Sequence, residues 1–159
     1  MSIRKVSYQF TRPADTTPYQ DTDLIANSTT AGSVVPMSFN IGPGGGRIVQ
    51  VRVSKSDETD VANSAVSLHF YEDLPVPANG DNGAFSGPLK GYLGPIAVAT
   101  MVATFVTDEA YQHVKLGATA LVGGLFTGVQ KLYALMEADA AYAPASEEVF
   151  TVTLWIEKT

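Results

Sequence analysis

The sequence predicts an all-β fold: a single-domain β-sandwich over residues 1–159, jelly-roll-like, with about eight strands and long loops. Most apolar segments repeat an apolar residue at every second position, which is typical of strands with one buried face. Glycine- and proline-rich connections of uneven length separate these segments, as in sandwiches and jelly rolls. A chain of this length is able to bury a core without disulfides.

The first predicted strand carries Val6, Tyr8 and Phe10 on one face, and two prolines in segment 11–18 end it. Residues 23–26 form a short second strand, which a polar loop at 27–33 follows.

Two alternating segments then flank the glycine-rich run 42–46. The first has Val35, Met37, Phe39 and Ile41 on one face, with Pro36 on the other, which favours an edge position or a bulge. The second has Val49, Val51 and Val53 on one face. Their closeness in sequence predicts a β-hairpin with an irregular turn.

The middle of the chain combines a strand with a long irregular stretch. Val66, Leu68 and Phe70 share a strand face, and 74–94 lacks periodicity and is rich in proline and glycine. Loops of this length are usually functional or interaction segments. Segment 101–106 is apolar on both faces, which predicts a central strand.

Segment 132–139 fits either a helix or a strand, because its leucine, alanine, methionine and glutamate are helix formers. The strand is favoured because the rest of the chain is β-rich and Gly128 and Pro144 bracket the segment closely. The last strand, 149–157, alternates most clearly, with these apolar positions on one face: Phe150, Val152, Leu154 and Ile156.

The composition argues against a nucleic-acid-binding protein. The formal net charge is -6, and no basic surface suited to nucleic acid is visible. The densest group of basic residues is Arg4–Lys5, which is interpreted as a solvated strand face. Only 16% of residues are charged, which fits either a surface partly covered by a partner or a thick sandwich. The absence of cysteine excludes disulfides and thiolate metal sites.

No membrane partner is expected, because the longest apolar stretch, 96–106, is too short to span a bilayer. The first residues enter a strand pattern without the apolar core of a secretion signal, so synthesis in a cytoplasm is expected.

No catalytic set, cofactor site or metal site is predicted. Segment 42–47 is a structural turn, because Arg47 opens a strand where a phosphate loop needs lysine and a helix. His69 and His113 are the only histidines and lack the spacing of a metal pair. No serine lies in a nucleophile elbow. We therefore expect a protein that is not an enzyme.

Aromatic side chains are expected to pack in the core, with one exception. Trp155 lies opposite the Phe150–Leu154 face of the last strand, beside threonines. It either fills a second buried surface or makes a subunit contact, where tryptophan is enriched.

Five short segments carry a resemblance to a known family: TRPADTTPY at 11–19, DLIANS at 23–28, GSV at 32–34, GDNGAF at 80–85 and AYAPAS at 141–146. They resemble segments of small virion proteins of tailed bacteriophages. The resemblance implies a β-rich capsid decoration (cement) protein that sits as a trimer on the capsid exterior, bridges capsomers of the major capsid protein and is made in the host bacterial cytoplasm.

The contact residues expected for subunits or capsid are Trp155, Tyr92, Phe85 and Arg4. Two alternatives stay open. One is another virion component, such as a tail, connector or fibre protein. The other is a carbohydrate-binding module for host recognition, with these aromatic residues as its candidates: Tyr71, Tyr92, Tyr111 and Trp155.

Overall fold

The computed structural model describes residues 2–104, 109–116 and 130–158, and the regular secondary structure of these residues is almost wholly strand. In chain order the strands are β1 (Ser2–Thr11), β2 (Leu24–Ile25), β3 (Met37–Asn40), β4 (Gly46–Lys55), β5 (Val66–Tyr71), β6 (Tyr92–Val98), β7 (Val102–Ala103), β8 (Ala110–Lys115), β9 (Lys131–Ala138) and β10 (Val149–Lys158). Two 3-10 turns, Ala31–Ser33 and Val61–Asn63, interrupt the connections. In the part of the chain described, no helix is long and apolar enough to cross a membrane.

The strands form two antiparallel sheets. The first sheet has the order β1-β10-β4-β8-β7, and the second has the order β2-β9-β5-β6, with β3 also paired to β9. Four of the pairings are nested within one another along the sequence: β1 with β10, β3 with β9, β4 with β8, and β5 with β6. This is one long antiparallel hairpin folded over on itself, which is the jelly-roll arrangement. The predicted all-β, jelly-roll-like sandwich is confirmed.

The core lies between the inner faces of the two sheets. On β10 the predicted apolar row is inside, with exposures of 0–1%, and on β9 the inward residues Leu132, Ala134 and Met136 are fully buried. Each large apolar side chain buried in this way contributes about 1.5–3 kcal/mol. The strand predictions for both segments are confirmed.

The predicted hairpin around the glycine-rich run is wrong. β3 pairs with β9 in the second sheet, whereas β4 lies between β10 and β8 in the first. The connection therefore crosses from one sheet to the other instead of reversing within a sheet. Gly42 and Gly44 take positive φ angles of 74° and 91° there, a backbone conformation that glycine adopts without steric cost. Val35, expected on the buried face, is 57% exposed.

A β-bulge changes the predicted inner face of β4. The register against β10 shifts between Trp155 and Ile156, so that Trp155 pairs with Gln50 but Ile156 pairs with Ile48. One extra residue on a strand reverses the direction of the following side chains. Ile48 is therefore 2% exposed and belongs to the core, whereas Val49 is half-buried.

The central strand predicted at 101–106 is also wrong where the structure describes it. The segment contributes the two-residue strand β7 at the edge of the first sheet, and Val102 is 58% exposed. Only Met101 reaches the core, at 1% exposure. Phe105 and Val106 lie outside the described residues.

Candidate functional site

The connection between β5 and β6, residues 72–91, lies over the outer face of the second sheet and is called here the covering loop. Its Phe85 packs against a small buried cluster that includes Leu24, Tyr71 and Leu135. The loop also carries the three most exposed large apolar side chains in the described part of the chain: Leu89 at 86%, Val76 at 72% and Leu74 at 59%. Exposed apolar side chains mark an interaction surface where they form a continuous patch.

Backbone hydrogen bonds fix the covering loop to the segment around β2. The Leu24 amide donates to the Gly83 carbonyl at 2.8 Å, and the Asn82 amide donates to the Leu24 carbonyl at 2.8 Å. The Phe85 amide donates to the Thr22 carbonyl at 2.7 Å. The loop is therefore held in one conformation although it contributes no full strand.

Asp81 anchors the covering loop from inside the protein. Its Oδ1 accepts hydrogen bonds from the Tyr19 hydroxyl at 2.6 Å and the Ala26 amide at 2.8 Å, and its Oδ2 lies 3.3 Å from Arg12 Nη2. The side chains of Arg12 and Asp81 are both 0% exposed. Burial raises the pKa of Asp81, against the opposing effects of the Ala26 and Tyr19 hydrogen bonds and the Arg12 charge.

A second buried network lies next to the first. Lys55 Nζ is 3.1 Å from Glu148 Oε1 and 2.9 Å from the Tyr142 hydroxyl, which also donates to Glu148. Burial raises the pKa of Glu148, against the lowering effects of Tyr142 and Lys55. The rings of Tyr19 and Tyr142 stack at 5.9 Å and join the two networks. Together these groups fix the loops at one end of the sandwich.

An open cavity of about 200 Å³ lies between the covering loop and β5–β6, lined by these residues: His69, Tyr71, Phe85, Gly87, Pro88, Leu89 and Tyr92. The His69 ring stacks on Phe85 at 4.2 Å, its Nδ1 is 2.9 Å from the Tyr92 hydroxyl, and its Nε2 contacts Glu137. The cavity is of a size for one side chain or one sugar ring, smaller than a drug-sized pocket.

Tyr71 gives this cavity a hydrogen-bond donor. Its ring lies 5.2 Å from that of Tyr92, and the residue is only 1% exposed. Burial raises the pKa of Tyr71 to about 12, so the hydroxyl keeps its proton even in mildly alkaline solution. A Cβ atom at Gly87 would lie 2.1 Å from this hydroxyl oxygen, so glycine is required for the loop to approach so closely.

The four expected contact residues fall in three places. Phe85 and Tyr92 come together at the cavity. Trp155 is half-buried on the outer face of the first sheet. Arg4 is exposed near one end of β1, with its guanidinium beside Gly42.

Tyr71 and Tyr92 were expected together only as aromatic candidates of a carbohydrate-binding module, and His69 was not expected beside Phe85. His69 and Tyr71 both come from β5, on the face opposite the apolar row, and only the pairing of β5 with β6 brings them beside Tyr92. The sequence signal that could have identified them is the spacing of His69 and Tyr71, which are two positions apart and therefore lie on the same face of the strand.

Metal ligation has no support among the residues that the structure describes, which contain no cluster of three or more histidine, aspartate or glutamate side chains suited to an ion. His69 lies on β5 of the second sheet and His113 on β8 of the first, so the two histidines are on different sheets.

Comparisons with known proteins show a limited likeness of fold. No protein family and no curated protein matches the sequence. Among solved structures, the coat protein of Tobacco streak virus is similar over 96% of this chain and 85% of that chain, with 11% identity and a TM-score of 0.29. A structure of Desmodium yellow mottle tymovirus is similar over 99% and 86%, with 14% identity and a TM-score of 0.28. Scores this low do not bear on function.

Proposed function

We propose that this chain is a capsid decoration protein of a tailed bacteriophage, which binds the outer surface of the assembled shell and stabilises it by bridging capsomers. The major capsid protein is its partner, the protein acts as a homotrimer, and the covering loop makes the contact. The observation that carries the proposal is that one firmly anchored loop, beside an aromatic cavity, carries the exposed side chains of Leu74, Val76 and Leu89.

The anchoring of the covering loop favours binding, because ordering a mobile loop on association normally loses conformational entropy. The covering loop is already fixed by backbone bonds to 22–28 and by the buried Asp81, so little of that ordering remains to be done on association. A cement protein needs a rigid contact of this kind and no turnover chemistry.

The apolar surface also indicates why several copies would act together. Complete burial of the three exposed side chains contributes at most about 4.5–9 kcal/mol, at about 1.5–3 kcal/mol each. Association itself costs about 4–15 kcal/mol. One loop therefore gives weak binding, whereas three loops on a trimer reinforce one another through effective concentration. The net charge of -6 keeps decorated particles mutually repelling.

The test uses capsids that lack the protein. Purified protein is added, and binding is measured by co-sedimentation and shell stability by resistance to heat. Leu89→Asp and Val76→Asp should weaken binding strongly, because a carboxylate at a buried apolar contact is costly. Ile3→Asp is the matched control, since Ile3 is 55% exposed on the edge strand of the other sheet. Absence of binding by the unaltered protein, or equal loss in all three variants, would refute the proposal.

A carbohydrate-binding role in host recognition is the second candidate, favoured by Tyr71 and Tyr92 in the lining of the cavity. A glycan array tests it directly: specific signal that Tyr92→Ala abolishes would favour this role over decoration. Electron microscopy of labelled particles separates decoration from a tail, connector or fibre role, because only a decoration protein covers the head at high copy number.

A further inference from the structure

The outer face of the first sheet carries an ordered set of basic and aromatic side chains. Register places Lys5, Trp155, Gln50 and Lys115 in one row across β1, β10, β4 and β8. The neighbouring row, across the same four strands, contains Ser7, Thr153, Arg52 and His113. Tyr111 lies opposite Ser54 in the row after that.

Aromatic rings hold two of the cations in place. Lys5 Nζ lies 5.4 Å from the centroid of Trp155, and Arg52 Cζ lies 4.8 Å from the centroid of Tyr111. His113 bridges the two rings edge-on, 5.7 Å from Trp155 and 5.8 Å from Tyr111. Cations held in this way are ordered before any partner arrives, which lowers the entropic cost of pairing with an anion.

The charge of this face is opposite to that of the whole chain. The outward positions of β1, β10, β4 and β8 include one carboxylate, Glu157, and it pairs with Arg47. Lys5, Arg52 and Lys115 remain as the positive charges of the face, on a protein of net charge -6. Burial and the positive charges of Arg52 and Lys115 lower the pKa of His113, as expected where cations are close together.

We propose that this basic–aromatic face binds an acidic polypeptide segment, whose carboxylates pair with Lys5, Arg52 and Lys115. Adjacent strands lie about 4.8 Å apart, so Lys5 and Lys115 are separated by about 14 Å across three spacings. An extended peptide places same-side residues about 6.8 Å apart. Carboxylates four residues apart on such a peptide therefore match the two lysines.

Single-stranded nucleic acid fits the face less well. Proteins that bind it stack bases on open aromatic rings and follow the backbone with a long basic groove. Here Lys5 lies over the Trp155 ring and Arg52 over the Tyr111 ring, so the cations cover ring surface that bases would need. A carboxylate-bearing segment needs no open ring surface, because its carboxylates pair with the cations themselves.

The experiment uses the full chain and a labelled poly-L-glutamate peptide, with single-stranded oligo-dT as the competing probe. Trp155 is the only tryptophan and lies within the face, so its fluorescence reports binding there. We expect poly-L-glutamate to bind, to perturb this fluorescence and to weaken as salt is raised. Because the probe contains no capsid component, the outcome is independent of the decoration role.

Reversing the charge of single lysines tests whether poly-L-glutamate binds at this face. Lys5→Glu and Lys115→Glu alter exposed side chains and should each weaken poly-L-glutamate binding about tenfold. Lys131→Glu changes the net charge equally on the second sheet and should leave it nearly unchanged. The proposal is overturned if poly-L-glutamate does not bind, if oligo-dT binds more tightly, or if all three variants lose binding equally.

Discussion

Asp81→Asn removes the negative charge from the buried Arg12–Tyr19–Asp81 network while keeping the side chain's shape. The asparagine oxygen is still able to accept from Ala26 and Tyr19, but its amide nitrogen would face the guanidinium as donor against donor. Breaking a buried ion pair by removing one partner costs about 3–5 kcal/mol, because the other charge stays buried.

The partners that Arg12 keeps in Asp81→Asn place the expected loss of stability at the low end of that range. The guanidinium keeps the backbone carbonyls of Asp15 at 2.8 Å and Ala145 at 3.1 Å, together with the Asp15 carboxylate at 3.5 Å. We therefore expect a loss of about 3 kcal/mol. For a domain of this size, this lowers the melting temperature by about 6–12 °C.

Urea unfolding followed by circular dichroism measures the loss, and Asp15→Asn is the matched control. Asp15 contacts the same guanidinium, but its side chain is 34% exposed, so its removal should cost less than about 1 kcal/mol. Hydrogen exchange should also show faster opening of the Ala26 and Asn82 amides in Asp81→Asn. Equal destabilisation by the two substitutions would refute the assignment of Asp81 as the anchor of the covering loop.

Three further outcomes are expected. Gly80→Ala should destabilise the fold by more than about 1 kcal/mol in thermal unfolding, since a Cβ there would lie 2.1 Å from a backbone oxygen, whereas Gly32→Ala has open space and should be nearly neutral. Leu154→Ala, fully buried in the core, should cost about 2–5 kcal/mol in urea unfolding. Arg52→Gln should raise the pKa of His113 toward its ordinary value in an NMR titration, because a neighbouring positive charge is removed; an unchanged titration would contradict the proximity of the two groups.

Alternation was enough to identify β10, whose inward apolar row is buried as expected. β9 does not alternate strictly, since Leu132–Met136 has no charged or small polar residue. Its strand was inferred from the β-rich remainder of the chain and the nearby Gly128 and Pro144, and it is confirmed. The predictions that were wrong concern which strands pair with one another. The β3–β4 hairpin was inferred from closeness in sequence, but in this topology β3 pairs with β9, more than ninety positions further along the chain at Phe39 and Leu132. Local turn residues carry no information about such pairing.

Apolar content alone was also a poor guide to position in a sheet. Segment 101–106 is apolar on both faces, yet its Val102 lies exposed in an edge strand. The bulge places Ile48 in the core instead of Val49. It arises from the pairing of β4 with β10, which the sequence of β4 by itself does not encode.

The candidate site was accessible from the sequence only in part. The length of the loop at 74–94 indicated an interaction segment, and Phe85 and Tyr92 were identified within it. Their cavity partners His69 and Tyr71 depend on strand register. The anchor Asp81 was within a recognised loop segment, but its burial against Arg12 joins residues 69 positions apart and had no local signal.

The position of β10 has a consequence for how the chain acquires its structure. β10 lies between β1 and β4, with Ser2 opposite Lys158 in the register. During synthesis, β1 has no sheet neighbour until β10 has been made, because β10 is its partner in the first sheet. The part of the sheet formed by β1, β10 and β4 therefore assembles late. Contacts between such distant segments are typical of slow folding. Meanwhile the nascent chain has an unpaired apolar edge that invites aggregation, and expression at low temperature or with chaperones should increase the soluble yield.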